Sequence, residues 1–154
     1  MAPAAYDFAP RRTPWAWLVR ARSAMVMGAV SGLVTACSAP VSVSAPDLSN
    51  ECRAVLADAP IRVLGELQRA TVPREASARA WGDPPIVLVC GVEVSVVPGA
   101  QVFEVNGVAW SAESSDVGTV FTSVDSEPAV QVRVPVAYRP EADVLLEMDW
   151  VEGP

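Results

Sequence analysis

Trp81-Gly82-Asp83-Pro84-Pro85-Ile86-Val87-Leu88-Val89-Cys90-Gly91-Val92 is the stretch whose reading decides the fold. A Gly-Asp-Pro-Pro turn feeds an apolar run with the period of a strand. Ile86, Leu88, Cys90, Val92, Val94 and Val96 share one face. Val87, Val89, Gly91, Glu93, Ser95 and Val97 make the other, which is mixed. The pattern predicts a strand with one face buried and the other partly covered. Gly91 marks a break or bulge within it, and Pro98-Gly99 ends it.

Downstream, residues 101–111 read as a hairpin. Asn106-Gly107 suits a two-residue type I′ turn, which needs positive φ at both positions. The turn sets Val105 opposite Val108 and Phe103 opposite Trp110, all four on one face, with Glu104 opposite Ala109 on the other. Turn chemistry and apolar pattern agree on that register. Residues 119–124 and 129–135 read as further strands, the second alternating Val130, Val132, Val134 with Gln131 and Arg133. Upstream, Cys52, Val55, Leu56 and Ala59 fall on one face of a helix. Asp47 and Ser49 are its candidate N-caps, and Pro60 stops it. Residues 61–72 suit a short helical turn followed by an extended segment. Residues 73–79 suit a polar loop, and residues 140–150 a terminal helix with Val144, Leu145 and Met148 on one side. The fold expected is α+β: an antiparallel sheet of four to five strands with one or two helices packed on one face.

Composition narrows the chemistry. All eleven basic residues are Arg, and the chain contains no His. An ordinary Ser-His-Asp or Cys-His hydrolase is thereby excluded, as is the usual zinc ligand. No cofactor or metal motif is present. From Cys37 onward seven Arg face seventeen Asp and Glu, a net charge of −10. Such a body repels phosphate backbones, so no nucleic-acid partner is expected.

The N-terminal part reads as an address and an anchor. Residues 23–36 are uncharged and mostly small or apolar, and Arg11, Arg12, Arg20 and Arg22 precede them. The run is too short to span a bilayer, which needs ~20 residues. It has the length of a secretory h-region. It ends in Leu33-Val34-Thr35-Ala36-Cys37, which resembles a lipobox, in which the Cys is lipidated and becomes the new N-terminus. Residues 1–36 are read as a lipoprotein-type signal peptide, and residues 37–48, rich in Ser, Ala and Pro, as the lipidated Cys37 and a flexible tether. Residues 49–154 form the extracytoplasmic domain. The expected location is the outer face of the cytoplasmic membrane. Arg11-Arg12 matches a twin-arginine signal poorly, because Pro14 stands where an apolar residue belongs.

Three cysteines in an exported chain leave an odd one. Lipidation of Cys37 accounts for it, and leaves Cys52 and Cys90 as a disulfide pair in an oxidising compartment. Two free buried thiols are the alternative.

With these pieces in place the chain resembles a family. Cys52 on a helix, Trp81-Gly82-Asp83-Pro84-Pro85, Val87-Leu88-Val89-Cys90-Gly91-Val92, Asn106-Gly107-Val108-Ala109-Trp110 and Val132-Arg133-Val134-Pro135 are similar to the actinobacterial secreted lipoproteins grouped as unknown-function family 3515. Val89 departs from the family, which has a basic residue before the Cys. If that residue served a partner, this chain has lost the contact. The resemblance implies export and an envelope location, and brings no activity, substrate or cofactor. Members lie in gene neighbourhoods with a cell-wall precursor ligase, which hints at a cell-envelope protein or wall component as partner.

Three residues are candidates for a binding surface. Trp81 and Trp110 could form an aromatic platform for a sugar or peptide, or be core residues, since large aromatics dominate small cores. Asp83 could be a catalytic acid or a turn residue. Glu113 and Asp116 are the carboxylate pair a small wall-directed hydrolase would use. Against that reading stands a lipid-anchored binding or accessory module. Buried carboxylates in a cleft favour the enzyme, and surface carboxylates favour the module.

Overall fold

The computed structural model describes residues 39–95, 99–151 and 153. The strands are β1 (Val41–Ser42), β2 (Arg62–Val63), β3 (Glu66–Arg69), β4 (Thr71–Val72), β5 (Ala78–Trp81), β6 (Ile86–Cys90), β7 (Gln101–Val105), β8 (Val108–Ser114), β9 (Gly118–Ser123) and β10 (Val130–Pro135). One α-helix, α1 (Asn50–Ala57), and two 3₁₀ segments, Val136–Tyr138 and Glu141–Glu147, complete them. The main sheet has eight strands in the order β2-β3-β5-β6-β10-β9-β8-β7, and every pairing in it is antiparallel.

The sheet is therefore α+β and antiparallel, as expected, but twice as wide as four to five strands. The additional strands come from segments whose sequence does not alternate. Residues 61–72 form no helical turn. Leu64 and Gly65 both have positive φ (50° and 78°) and close a tight hairpin in which Val63 faces Glu66. A leucine in that backbone region is uncommon. Its N–H is held by Glu147 Oε2 at 2.7 Å, and the adjacent Val63 is fully buried. Residues 78 and 79, the end of the expected polar loop, join Ala80 and Trp81 in β5, inserted between β3 and β6.

The central strand keeps its predicted faces. Ile86, Leu88 and Cys90 point into the main core. The strand ends at Cys90 and does not run on to Val97. There, the N–H groups of Gly91 and Val92 both donate to the Ala129 carbonyl, at 2.8 and 3.4 Å, so two residues oppose one. The break expected at the strand glycine is thus the end of the strand.

The hairpin β7–β8 has the predicted register, with Val105 opposite Val108, Phe103 opposite Trp110 and Glu104 opposite Ala109. Asn106 and Gly107 take φ of 54° and 80°. A Cβ on Gly107 would meet nothing within 4 Å, so only the backbone conformation resists substitution. Gly107→Val should cost more than ~1 kcal/mol, because a β-branched residue is a genuine outlier at positive φ. Glu104→Gln, exposed on the opposite face, should move the urea midpoint by little. Equal midpoints for Gly107→Val and the parent chain would show that the turn does not set the register.

One face of the sheet carries the main core. Helix α1 contributes Cys52 and Leu56, and the C-terminal segment contributes Val144, Leu145, Met148 and Val151, against Leu88, Trp110, Phe121, Val130 and Val132. Phe103 and Phe121 meet edge to face at 6.2 Å. Ser49 caps α1 by accepting the Cys52 N–H at 3.1 Å. The C-terminal apolar side is the predicted one, but its backbone winds as a 3₁₀ segment.

The second face is covered at β5 and β6 by a small cluster of Ala76, Ala78 and Val89, against which Val43 and Ala45 pack. Val43 and Ala45 belong to the segment expected to be a free tether. In the structure β1 pairs in parallel with β4, Val41 N–H donates to Ala70 O at 2.8 Å, and Val43 N–H donates to Val72 O at 3.0 Å. Further along, Asp47 bridges Ala76, and Ser77 Oγ donates to Asp47 O at 3.2 Å. Residues 41–47 are thus a strap on the fold. Composition predicted freedom, but backbone hydrogen bonds to Ala70 and Val72, together with the apolar side chains on Ala76 and Val89, hold the segment down. The expected signal peptide and Cys37 lie outside the described residues.

Candidate functional site

Trp81 and Asp83 are neighbours in sequence and opposites in environment. Trp81 is 0% exposed, and its Nε1 donates to the Pro60 carbonyl at 2.9 Å. Trp110 is 1% exposed at the centre of the main core. Neither indole offers a face to solvent, so the aromatic-platform reading gives way to the core reading. The reason is parity: both side chains fall on the sheet face that α1 and the C-terminal segment cover.

Asp83 points the other way. Its side chain is 85% exposed, and its Oδ1 lies 3.5 Å from Arg69 Nη1. Between the two residues Gly82 turns the chain outward at φ 72°, and a Cβ there would collide with the Tyr138 hydroxyl and the Glu66 side chain. Asp83 lines a surface groove of about 470 Å³ together with Arg62, Glu66, Gln68 and Arg69.

Arg69 organises this groove. Its side chain is only 13% exposed. Nη1 donates to Gly82 O at 2.7 Å, and Nη2 donates to Ala39 O. One guanidinium thereby ties β3, the Gly82–Asp83 turn and the start of the strap. Its Nε is buried and has no hydrogen-bond partner among the described residues. Next to Gly82, Tyr138 Oη donates to Pro84 O at 2.7 Å. Burial, then the negative charge of Glu66, pushes the phenol above its ordinary pKa, so it is a neutral donor at physiological pH. Arg62, Glu66, Arg69 and Tyr138 were not singled out from sequence. They are spread over 77 positions and converge only because β2, β3 and the segment after β10 meet at the turn.

A second, larger cleft of about 540 Å³ lies at the end of the sheet beyond the disulfide, lined by Ser49, Glu51, Gly91, Asp125, Ser126 and Glu127 among others. Its charge is acidic. Hydrogen bonds from its own backbone N–H and from Ser49 lower the pKa of Glu51, which is fully exposed.

Cys52 and Cys90 form the disulfide, with Cα atoms 5.6 Å apart, both sulfurs in the core. Glu113 and Asp116 are exposed. Among the described residues no Asp or Glu is buried; Glu66 and Glu141 are the most sheltered and are half-buried. Among the same residues no cluster of three or more His, Cys, Asp or Glu is placed to hold a metal, and no helix is long and apolar enough to cross a membrane.

The family model described as protein of unknown function (DUF3515) matches residues 21–147. The chain belongs to that family. No curated protein and no solved structure matches it. For this DUF3515 member, then, the chemistry has to be read from the surface itself. The Asp83 groove offers two guanidiniums and two carboxylates, an arrangement suited to binding a polar ligand or the charged rim of another protein. Of its carboxylates, that of Asp83 is exposed and that of Glu66 half-buried.

Proposed function

We propose that the protein is a lipid-anchored module on the outer face of the cytoplasmic membrane that binds a partner in the cell envelope and catalyses no reaction. The observation that carries the binding half is the placement of the acids: no described carboxylate is buried, and all but Glu66 and Glu141 are exposed. In a chain without His or Lys, carboxylates would have to do the acid-base work, and catalytic carboxylates need burial or a close neighbour to shift their pKa. The anchor half is supported by the Arg-flanked apolar run that ends in Val34-Thr35-Ala36-Cys37.

The test is complementation of a deletion strain fed a labelled fatty acid. The parent chain should take up label, Cys37→Ala should not, and variants with single surface acids outside the Asp83 groove changed to amides should all rescue. The anchor fails if the parent takes up no label or Cys37→Ala takes up as much. The binding reading fails if one amide variant, folded and labelled, loses rescue while the parent turns over a wall-derived substrate in vitro.

A further inference from the structure

We infer that residues 39–47 clamp the anchored domain edge-on to the bilayer, with the β2–β3 edge of the sheet facing the phospholipid headgroups. The inference rests on the lipid anchor at Cys37 proposed above and adds what the strap does to it. A free segment from Cys37 to Leu48 would let the domain roam over ~18 Å, the coil dimension of eleven residues. The strap removes that freedom. Ala39 O is held by Arg69, Val41 N–H by Ala70 and Val43 N–H by Val72. Only two peptide units separate Ala39 from Cys37, a reach of at most ~7 Å. A lipid on Cys37 therefore brings the membrane surface to the rim of the Arg69–Asp83 groove.

The side chains at that rim suit a headgroup layer. Leu67 is 53% exposed and Val72 47% exposed, on strands β3 and β4. With Ile61, they place three of the seven exposed large apolar side chains of the described residues within a twelve-residue span. Arg62, exposed beside them, supplies a cation able to meet a phosphate at the interface. Two acids share this rim, Glu66 and Asp83, the latter 3.5 Å from Arg69. Strand β7, at the far edge of the sheet, is six strand spacings from β3, about 29 Å at ~4.8 Å each. Glu104 on β7 should stand well clear of the bilayer.

The experiment uses the full, lipidated protein in phosphatidylglycerol-containing vesicles with a headgroup-bound collisional quencher. A fluorescent non-natural residue is placed at Leu67 or at Glu104. Quenching should be severalfold stronger at Leu67. The double variant Val41→Pro, Val43→Pro, which lacks both strap N–H donors, should bring the two positions to similar values while staying lipidated. In parallel, hydrogen exchange on the unlipidated domain should show slow amides at Val41 and Val43. Equal quenching at both positions in the parent, with lipid on Cys37 confirmed by mass, overturns the clamp and leaves the anchor standing. An unchanged ratio in the proline variant, or free-chain exchange at Val41 and Val43, overturns the strap as its cause. Absence of lipid on Cys37 overturns the anchor, and the clamp with it.

Discussion

Replacing Cys52 and Cys90 together by alanine is expected to lower the free energy of unfolding by roughly 4 kcal/mol. The cross-link closes a loop with a sequence separation of 38, and the loop-entropy relation gives that magnitude. A domain of this size has a total stability of ~5–15 kcal/mol, so the loss is a large fraction of it. The effect should be greatest at α1. An eight-residue helix is well below the ~12–15 residues at which isolated helices become even marginal in water. It is held by the bond from Cys52 to β6 and by the burial of Leu56. Urea unfolding of the double variant, followed by far-ultraviolet circular dichroism, checks this. A shift in stability below ~1 kcal/mol would mean that packing alone secures the helix. Alkylation of the native, unreduced protein should meanwhile find no free thiol at either position.

The second large effect is expected at Trp81. Trp81→Ala should cost about 3–5 kcal/mol, the range for removing a buried large aromatic. Its indole fills the core between β3 and β6 and satisfies the Pro60 carbonyl, which the truncation leaves without its donor. Two residues on, Asp83→Asn should change stability by no more than ~0.5 kcal/mol. Its carboxylate is 85% exposed and its one ion pair is long, at 3.5 Å, and exposed pairs of this kind contribute little. Stability midpoints and partner binding measured on both variants separate scaffold from surface. Asp83→Asn should leave the fold intact and weaken any partner that uses the groove. Equal midpoints for Trp81→Ala and the parent would remove the indole from the core.

Some features needed only local physics. Asn106-Gly107 is readable because few residues accept positive φ, and its register followed from which neighbours are apolar. The pairing of Cys52 with Cys90 followed from one lying on a helix's apolar face and the other on a strand's buried face. The break at Gly91 and the apolar side of residues 140–150 were legible for the same reason: period and backbone chemistry reside in adjacent residues.

The rest required the tertiary fold. Leu64-Gly65 carries no ordinary turn signature at its first position; Glu147, 83 residues away, stabilises it. Ala78-Arg79-Ala80-Trp81 has little strand propensity, and becomes a strand because β3 and β6 supply hydrogen bonds on both sides. The strap is the clearest case. Its sequence of Ser, Ala, Val and Pro specifies no structure, and its parallel partner lies thirty residues downstream, a pairing that leaves no mark on either segment alone. The groove beside Asp83 shares that origin. By itself the sequence determined the sheet's faces, its main hairpin and its staple. Where the chain's N-terminal segment lies, and which charges gather at the Gly82–Asp83 turn, only long-range contacts decided.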